Sequence, residues 1–256
     1  MIWGEFGPPA VLRAALDFHQ YAYGVFGAVE LAARLGMTTV TVLELGVAGG
    51  NGLVELERLA VEVGGDRDVV PHVVGFDLGT GMPPPVDHRD VPYAWREGFF
   101  RMDEQVLRSH LRHADLLIGD VGLTGPKFMA SAPAPIGFVS FDLDYYSSTV
   151  AAFEALLESD DYERYLPRVL CYFDDTVGPH AEMHSEFTGE LLAIDEFNQK
   201  HQRRKLARIG GLRYKVMPFD GPWVEGMFVL HLFDHPRYND YVFPEEDRQF
   251  PVSGVS

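Results

Sequence analysis

Five times between residues 39 and 175 a short apolar run, often β-branched, ends beside an acid. Glu44 lies in Thr39–Leu45, Asp77 follows Val73–Phe76, Asp120 follows Ala114–Gly119, Asp142 follows Gly137–Phe141, and Asp174 follows Arg168–Phe173. Such runs suit strands buried on both faces. Stretches of helical period separate several of them: Leu53–Val63, Asp103–His113, Ser148–Leu157 and, after the last, Glu186–Lys200. Strands alternating with helices demand a parallel sheet covered by helices, and ligands of such sheets bind beyond the carboxyl ends of the strands. The recurring acids therefore fall where a ligand belongs.

The ends of the chain complete the pattern. Pro9–Leu35 carries apolar residues at helical spacing and stops at Gly36. Arg213–Phe219 and Met227–Phe233 flank a short linker containing Gly221-Pro222, which predicts an antiparallel hairpin. The expected fold is α/β: a seven-stranded sheet, mostly parallel with an antiparallel C-terminal strand, and helices on both faces. A chain of 256 residues predicts one domain, with a helical cap over 1–38, a core over 39–233 and a tail over 234–256.

A formal charge of −17, with Arg203-Arg204-Lys205 as the longest basic run, argues against nucleic acid and against an anionic membrane surface as partners. One cysteine, Cys171, inside an apolar run excludes an internal disulfide and suits a reducing compartment. Met1-Ile2-Trp3-Gly4-Glu5 does not read as a secretion signal, and no apolar run approaches the roughly 18 residues of a membrane span. These features together predict a cytoplasmic protein. The aromatic-rich ends (Trp3, Phe6, Tyr238, Tyr241, Phe243) are candidates for a homo-oligomer contact.

The first strand runs into Glu44-Leu45-Gly46-Val47-Ala48-Gly49-Gly50-Asn51-Gly52. Small residues let the chain turn sharply and approach a ligand, and the helix that follows presents free N–H groups. Ala48 breaks the Gly-x-Gly-x-x-Gly spacing of dinucleotide sites, and the acid before the turn suits a cationic amino acid better than a pyrophosphate. Asp77 is placed to accept ribose hydroxyls, and Asp120 to reach an adenine amino group. Each acid has an ordinary alternative as a cap on the next helix.

Asp142-Leu143-Asp144-Tyr145-Tyr146-Ser147-Ser148-Thr149 and Asp174-Asp175 crowd further carboxylates at two neighbouring strand ends. Such groups repel one another unless a cation lies between them, and Mg²⁺ takes hard oxygen ligands while keeping positions open. Ser147, Ser148 and Thr149 can cap the following helix themselves, which frees Asp142 from that duty.

The whole pattern resembles the class I S-adenosylmethionine-dependent methyltransferases, whose fold is Rossmann-like, and in particular the metal-dependent macrocin O-methyltransferase family. Asp142-Leu143-Asp144-Tyr145-Tyr146-Ser147-Ser148-Thr149 is similar to that family's Asp-x-Asp-x-Tyr-x-x-Thr signature, and Asp174-Asp175 to its paired aspartates. The resemblance runs from about Tyr21 to Phe233. It implies Asp142, Asp174 and Asp175 as ligands of Mg²⁺ or another divalent cation. It implies Glu44, Gly46, Asp77 and Asp120 as holders of S-adenosylmethionine, with Gly50 and Asn51 completing the loop. Related metal-dependent enzymes carry a lysine or histidine base three residues after the first metal aspartate, where this chain has Tyr145. A phenol with a pKa near 10 is a poor base at neutral pH, so Asp144 is preferred, with His180 and His184 behind it.

The implied activity is O-methylation of a small-molecule hydroxyl of sugar or natural-product type. The alternatives are a metal-independent methyltransferase, or a Mg²⁺-dependent hydroxylase component or non-catalytic cofactor-binding module on the same fold. Tyr93, Trp95, Phe99 and Phe100 form an aromatic cluster that either lines an acceptor pocket or is ordinary packing. The loops Gly79–Gly98 and Gly178–Glu190 flank the strand ends as candidate lids.

Overall fold

A computed structural model describes residues 18–214 and 221–243. Its sheet has seven strands: β1 (Thr39–Leu45), β2 (Val70–Asp77), β3 (Asp115–Ile118), β4 (Ile136–Phe141), β5 (Tyr165–Phe173), β6 (Arg204–Arg208) and β7 (Met227–Leu232). Their order across the sheet is β3-β2-β1-β4-β5-β7-β6. Neighbours from β3 to β5 pair in parallel, and β7 runs antiparallel to both β5 and β6.

Among the described residues six α-helices connect and cover the strands: α1 (His19–Arg34), α2 (Asn51–Gly65), α3 (Glu104–His110), α4 (Val121–Ala130), α5 (Tyr146–Leu156) and α6 (Gly189–Lys200). Side-chain alternation along each strand divides the core in two. Val40, Val42 and Phe138 pack with residues of α1 and α2 on one face. Leu43, Leu45, Val139 and Phe141 pack with residues of α5 and α6 on the other. Gly24 lets α1 lie directly on the Phe138 ring, because a Cβ there would overlap it. No described helix is long and apolar enough to cross a membrane.

The expected hairpin partner of β7 is corrected. The strand beside it is Arg204–Arg208, which the sequence presents as part of a basic run, whereas Leu212–Tyr214 forms a 3-10 turn and 215–219 lies outside the described residues. Arg204 is buried in β6 because its guanidinium donates to the carbonyls of Leu157 and Ser159 at 2.8 and 2.7 Å. Helix α4 was not legible either: it holds Gly122, Gly125 and Pro126, which weaken the helical signal. The portion of the first expected helix before residue 18 also lies outside the described residues.

The chain places β2 and β3 on one side of β1 and then crosses to β4 on the other. The switch point is therefore the junction of β1 and β4, the place where sheets of this kind bind ligands.

Candidate active site

At the switch point the loop after β1 meets the loop after β4. Gly46 has φ +87°, and a Cβ there would overlap the carbonyl oxygen of Asp142. Only glycine satisfies both conditions. The Asp142 N–H donates to the Leu45 carbonyl at 2.9 Å, so the two loops leave the sheet in register. Gly50, with φ +89°, is the N-cap of α2 and offers its first turn no side-chain partner.

Asp77 organises this loop. One carboxylate oxygen accepts the Val47 and Ala48 N–H groups, each at 2.9 Å, and the other accepts the Gly79 N–H at 2.5 Å. Asp120 adopts the ordinary alternative as N-cap of α4, accepting the Gly122 N–H at 2.7 Å. Both still line the cleft described below.

Glu44 stands behind the loop and does not line the cleft. Its Oε1 accepts the Tyr21 hydroxyl at 2.7 Å, while Oε2 is buried without a partner. Burial pushes its carboxyl up to about 8, against the pull of the Tyr21 hydrogen bond. Asn51 opens α2 on the exposed surface, also outside the cleft lining.

The acids beyond β4 and β5 converge. Asp142, Asp144 and Asp175 each offer a carboxylate oxygen, and these oxygens lie within 4.8 Å of one another. Asp144 reaches the cluster through a left-handed residue with φ +58°. Strand alternation does not place it there, because β4 ends at Phe141. Its N–H donates to Asp175 Oδ2 at 3.0 Å, and the Asp175 N–H donates to Glu190 Oε2 at 3.1 Å. Glu190 on α6 is fully buried, with Oε1 unpartnered. Burial and mutual repulsion push Asp142 and Asp175 well above the carboxylate range and Asp144 up to about 7.

Asp174 does not join that convergence. It is exposed and accepts the Tyr172 hydroxyl at 2.7 Å, although it also lines the cleft. The expected ligand set is Asp142, Asp174 and Asp175; of these Asp142 and Asp175 converge, and Asp144 stands with them. Tyr145 is fully buried, its hydroxyl has no partner, and burial pushes it up to about 12. His180 is exposed outside the cleft lining, and His184 Nε2 is hydrogen-bonded to Glu182 at 2.8 Å.

Gly46, Asp77, Asp120, Asp142, Asp144 and Asp175 line a cleft of about 600 Å³ that joins the Gly46 loop to the acidic cluster. Trp95, Phe100, Met82 and Val86 form an apolar wall, and no Lys, Arg or His side chain lines the cleft among the described residues. Three converging carboxylates without a protein cation match the oxygen donor set of a hard divalent ion. Sequence reading missed Asp90 and Glu190. Both are buried acids, and Asp90 lies in a Gly- and Pro-rich stretch whose composition signals only a loop.

No known family model matches the chain, and no curated protein is similar to it. Among solved structures it is similar to CalS11, a calicheamicin methyltransferase, with a TM-score of 0.58 and 23% identity over 87% of this chain and 83% of that one. An apo structure of CalS11, described as a TDP-rhamnose 3'-O-methyltransferase, superposes with a TM-score of 0.49 and 23% identity, covering 87% and 84%. An O-methyltransferase from Bacillus cereus in complex with SAH gives a TM-score of 0.39 and 13% identity, covering 89% and 92%. The first of these likenesses shows a shared fold, a Rossmann-like, mostly parallel seven-stranded sheet with helices on both faces, as expected.

Proposed function

We propose that this chain is an S-adenosylmethionine-dependent O-methyltransferase, assisted by a divalent cation, that acts on a hydroxyl of a small-molecule acceptor of sugar or natural-product type. The observation that carries the reading is the meeting of the Gly46 loop with Asp142, Asp144 and Asp175 in one cleft at the switch point. When bound, S-adenosylmethionine supplies the sulfonium methyl and the divalent cation supplies charge that lowers the pKa of a hydroxyl.

The residues divide the remaining work. The loop Gly46–Gly50, held by Asp77, seats the cofactor, and Asp77 and Asp120 face its nucleoside end. Asp142 and Asp175 hold the cation through carboxylate oxygens. Asp144, beside them in the cluster, accepts the acceptor's proton on its own carboxylate. Trp95 and Phe100 exclude water from the acceptor's side. Most of the rate comes from holding the two partners at attack distance.

The test is calorimetry with S-adenosylhomocysteine, followed by mass spectrometry for methyl transfer to a panel of hydroxylated acceptors, with and without exhaustive chelation. Cofactor binding together with transfer that chelation abolishes supports the reading. Transfer that survives chelation favours the metal-independent alternative, and absence of cofactor binding overturns the assignment.

A further inference from the structure

The loop between β2 and α3 is tied down at both ends of its excursion. At its neck the Met82 N–H donates to the Phe99 carbonyl and the Gly98 N–H to the Met82 carbonyl, both at 2.9 Å. At its far end lies Asp90, which has no exposed surface. The Asp90 carboxylate accepts the Val86 N–H at 2.7 Å, the Ser147 N–H at 2.8 Å and the Ser147 hydroxyl at 2.9 Å.

Two of those bonds cross from the loop to the first turn of α5. The N-cap of that helix, Tyr145, gives it no side-chain hydrogen bond. Asp90, 57 residues before Ser147, does the capping instead. Beside it Val91, buried and β-branched, sits at φ +51°. Such a conformation persists only where surrounding bonds over-determine it. Trp95 lies between the two ties and Phe100 just past the neck; both line the cleft, their ring centroids 5.8 Å apart, so the wall is held through Trp95. Tyr93 donates to the Glu182 carbonyl at 3.0 Å, which joins the same loop to the segment after β5.

We propose that Asp90 is a positioning residue for the acceptor: by capping α5 from the 82–98 loop it fixes the Trp95–Phe100 wall against Asp142 and Asp144, the acids just before that helix. The proposal rests on the reading above that the acceptor hydroxyl lies at those acids. The Gly46 loop shares none of the Asp90 bonds, so the cofactor end is independent of them. An alanine at 90 removes all three acceptor contacts. An asparagine keeps one oxygen, and its amide group cannot accept.

Hydrogen exchange on the full chain reads the wall without any ligand, and calorimetry reads S-adenosylhomocysteine, then catechol added to the Mg²⁺- and S-adenosylhomocysteine-loaded protein. Asp90→Ala should exchange its 82–98 amides at least tenfold faster and weaken catechol at least tenfold. Amides 44–52 and cofactor affinity should stay within twofold of wild type. Asp90→Asn should fall between the two, and Ser147→Ala, which deletes one bond from the helix side, should show a smaller loss of the same kind. If Asp90→Ala does not fold, these two variants carry the comparison. Unchanged exchange over 82–98, a loosened loop with unchanged catechol affinity, or no catechol binding by the wild type would overturn the proposal. Failure of the wild type to bind S-adenosylhomocysteine would instead count against the methyltransferase reading, and the exchange comparison stands without it.

Discussion

The backbone N–H of Asp144 donates to the carboxylate of Asp175 at 3.0 Å, which joins the loop after β4 to the loop after β5 through one buried bond. The bond holds two acids of the cluster together by a main-chain donor, so their charges face each other with no side-chain cation between them. This geometry makes the cluster sensitive to pH and to added cations.

The pH dependence has a defined sign. Burial, with repulsion from Asp174, raises the Asp144 carboxyl from 3.8 to about 7, so the folded protein holds this proton more tightly than the unfolded chain. The associated stability is fully present below the unfolded value and is lost as pH rises through about 7. In the presence of chelator the melting temperature should therefore fall across that window. The fall should be smaller in Asp144→Asn, measured by calorimetric scans at matched ionic strength. Equal slopes in the two proteins would place the titration elsewhere.

Added Mg²⁺ should raise the melting temperature of the chelated protein, and more at pH 8 than at pH 5, where carboxyls must first release protons. Asp175→Ala and Asp142→Ala should abolish the rise. Asp174→Ala should keep most of it, because Asp174 is exposed and engaged by Tyr172. Loss of the whole response in Asp174→Ala would return that residue to the ligand set.

Asp77→Ala frees three backbone N–H groups at once, two in the cofactor loop (Val47, Ala48) and one after β2 (Gly79). Cofactor affinity should drop by about 1–3 kcal/mol, the scale for leaving such groups unpaired. Calorimetry with S-adenosylhomocysteine gives the number, and an unchanged affinity would remove Asp77 from the site.

Gly46→Ala should cost more than a left-handed residue alone. Gly36 supplies the control: it has φ +70°, and nothing lies within 4 Å of its missing Cβ. Gly36→Ala should lose about 1–2 kcal/mol, the cost of left-handed backbone. Gly46→Ala adds the overlap with the Asp142 carbonyl oxygen and should lose clearly more, together with cofactor binding. Chemical denaturation of both variants measures the difference.

Tyr145→Phe should leave turnover nearly unchanged and stability unchanged or slightly improved. The hydroxyl it removes is buried without a partner, and deleting such a group costs nothing. Asp144→Asn, assayed beside it at saturating Mg²⁺ and cofactor, should lose most of its turnover. The opposite ranking would make the phenol the base.

Much of this was legible in the sequence because strand burial and strand-end chemistry coincide. The run Thr39–Leu45 and the acids at 44, 77, 120, 142 and 174 place the strands and their carboxyl ends without any tertiary knowledge. What stayed hidden depends on partners distant in the chain. Arg204–Arg208 pairs with β7, and its basic residues mask a strand whose Arg204 is met by the Leu157 and Ser159 carbonyls and whose Arg208 pairs with Glu225. Asp144 joins Asp142 and Asp175 through its own left-handed backbone, which no period of the sequence announces. Asp90 caps a helix that begins 56 residues later, and spacing carries no record of such a bond.

The position of β7 also governs when the site can exist during synthesis. Strand β5, which leads into Asp174 and Asp175, lies between β4 and β7, and β7 is the last strand among the described residues. Until residues 227–232 have emerged, β5 has a partner on one side only. Gly226, just before β7, packs so closely on the Phe173 carbonyl that a Cβ there would lie 2.5 Å from its oxygen. The glycine loop after β1 therefore leaves the ribosome well before the acidic half of the cleft is completed, about 180 residues later. A chain stopped before β7 would carry the cofactor loop beside an open sheet edge, ready to pair with another chain.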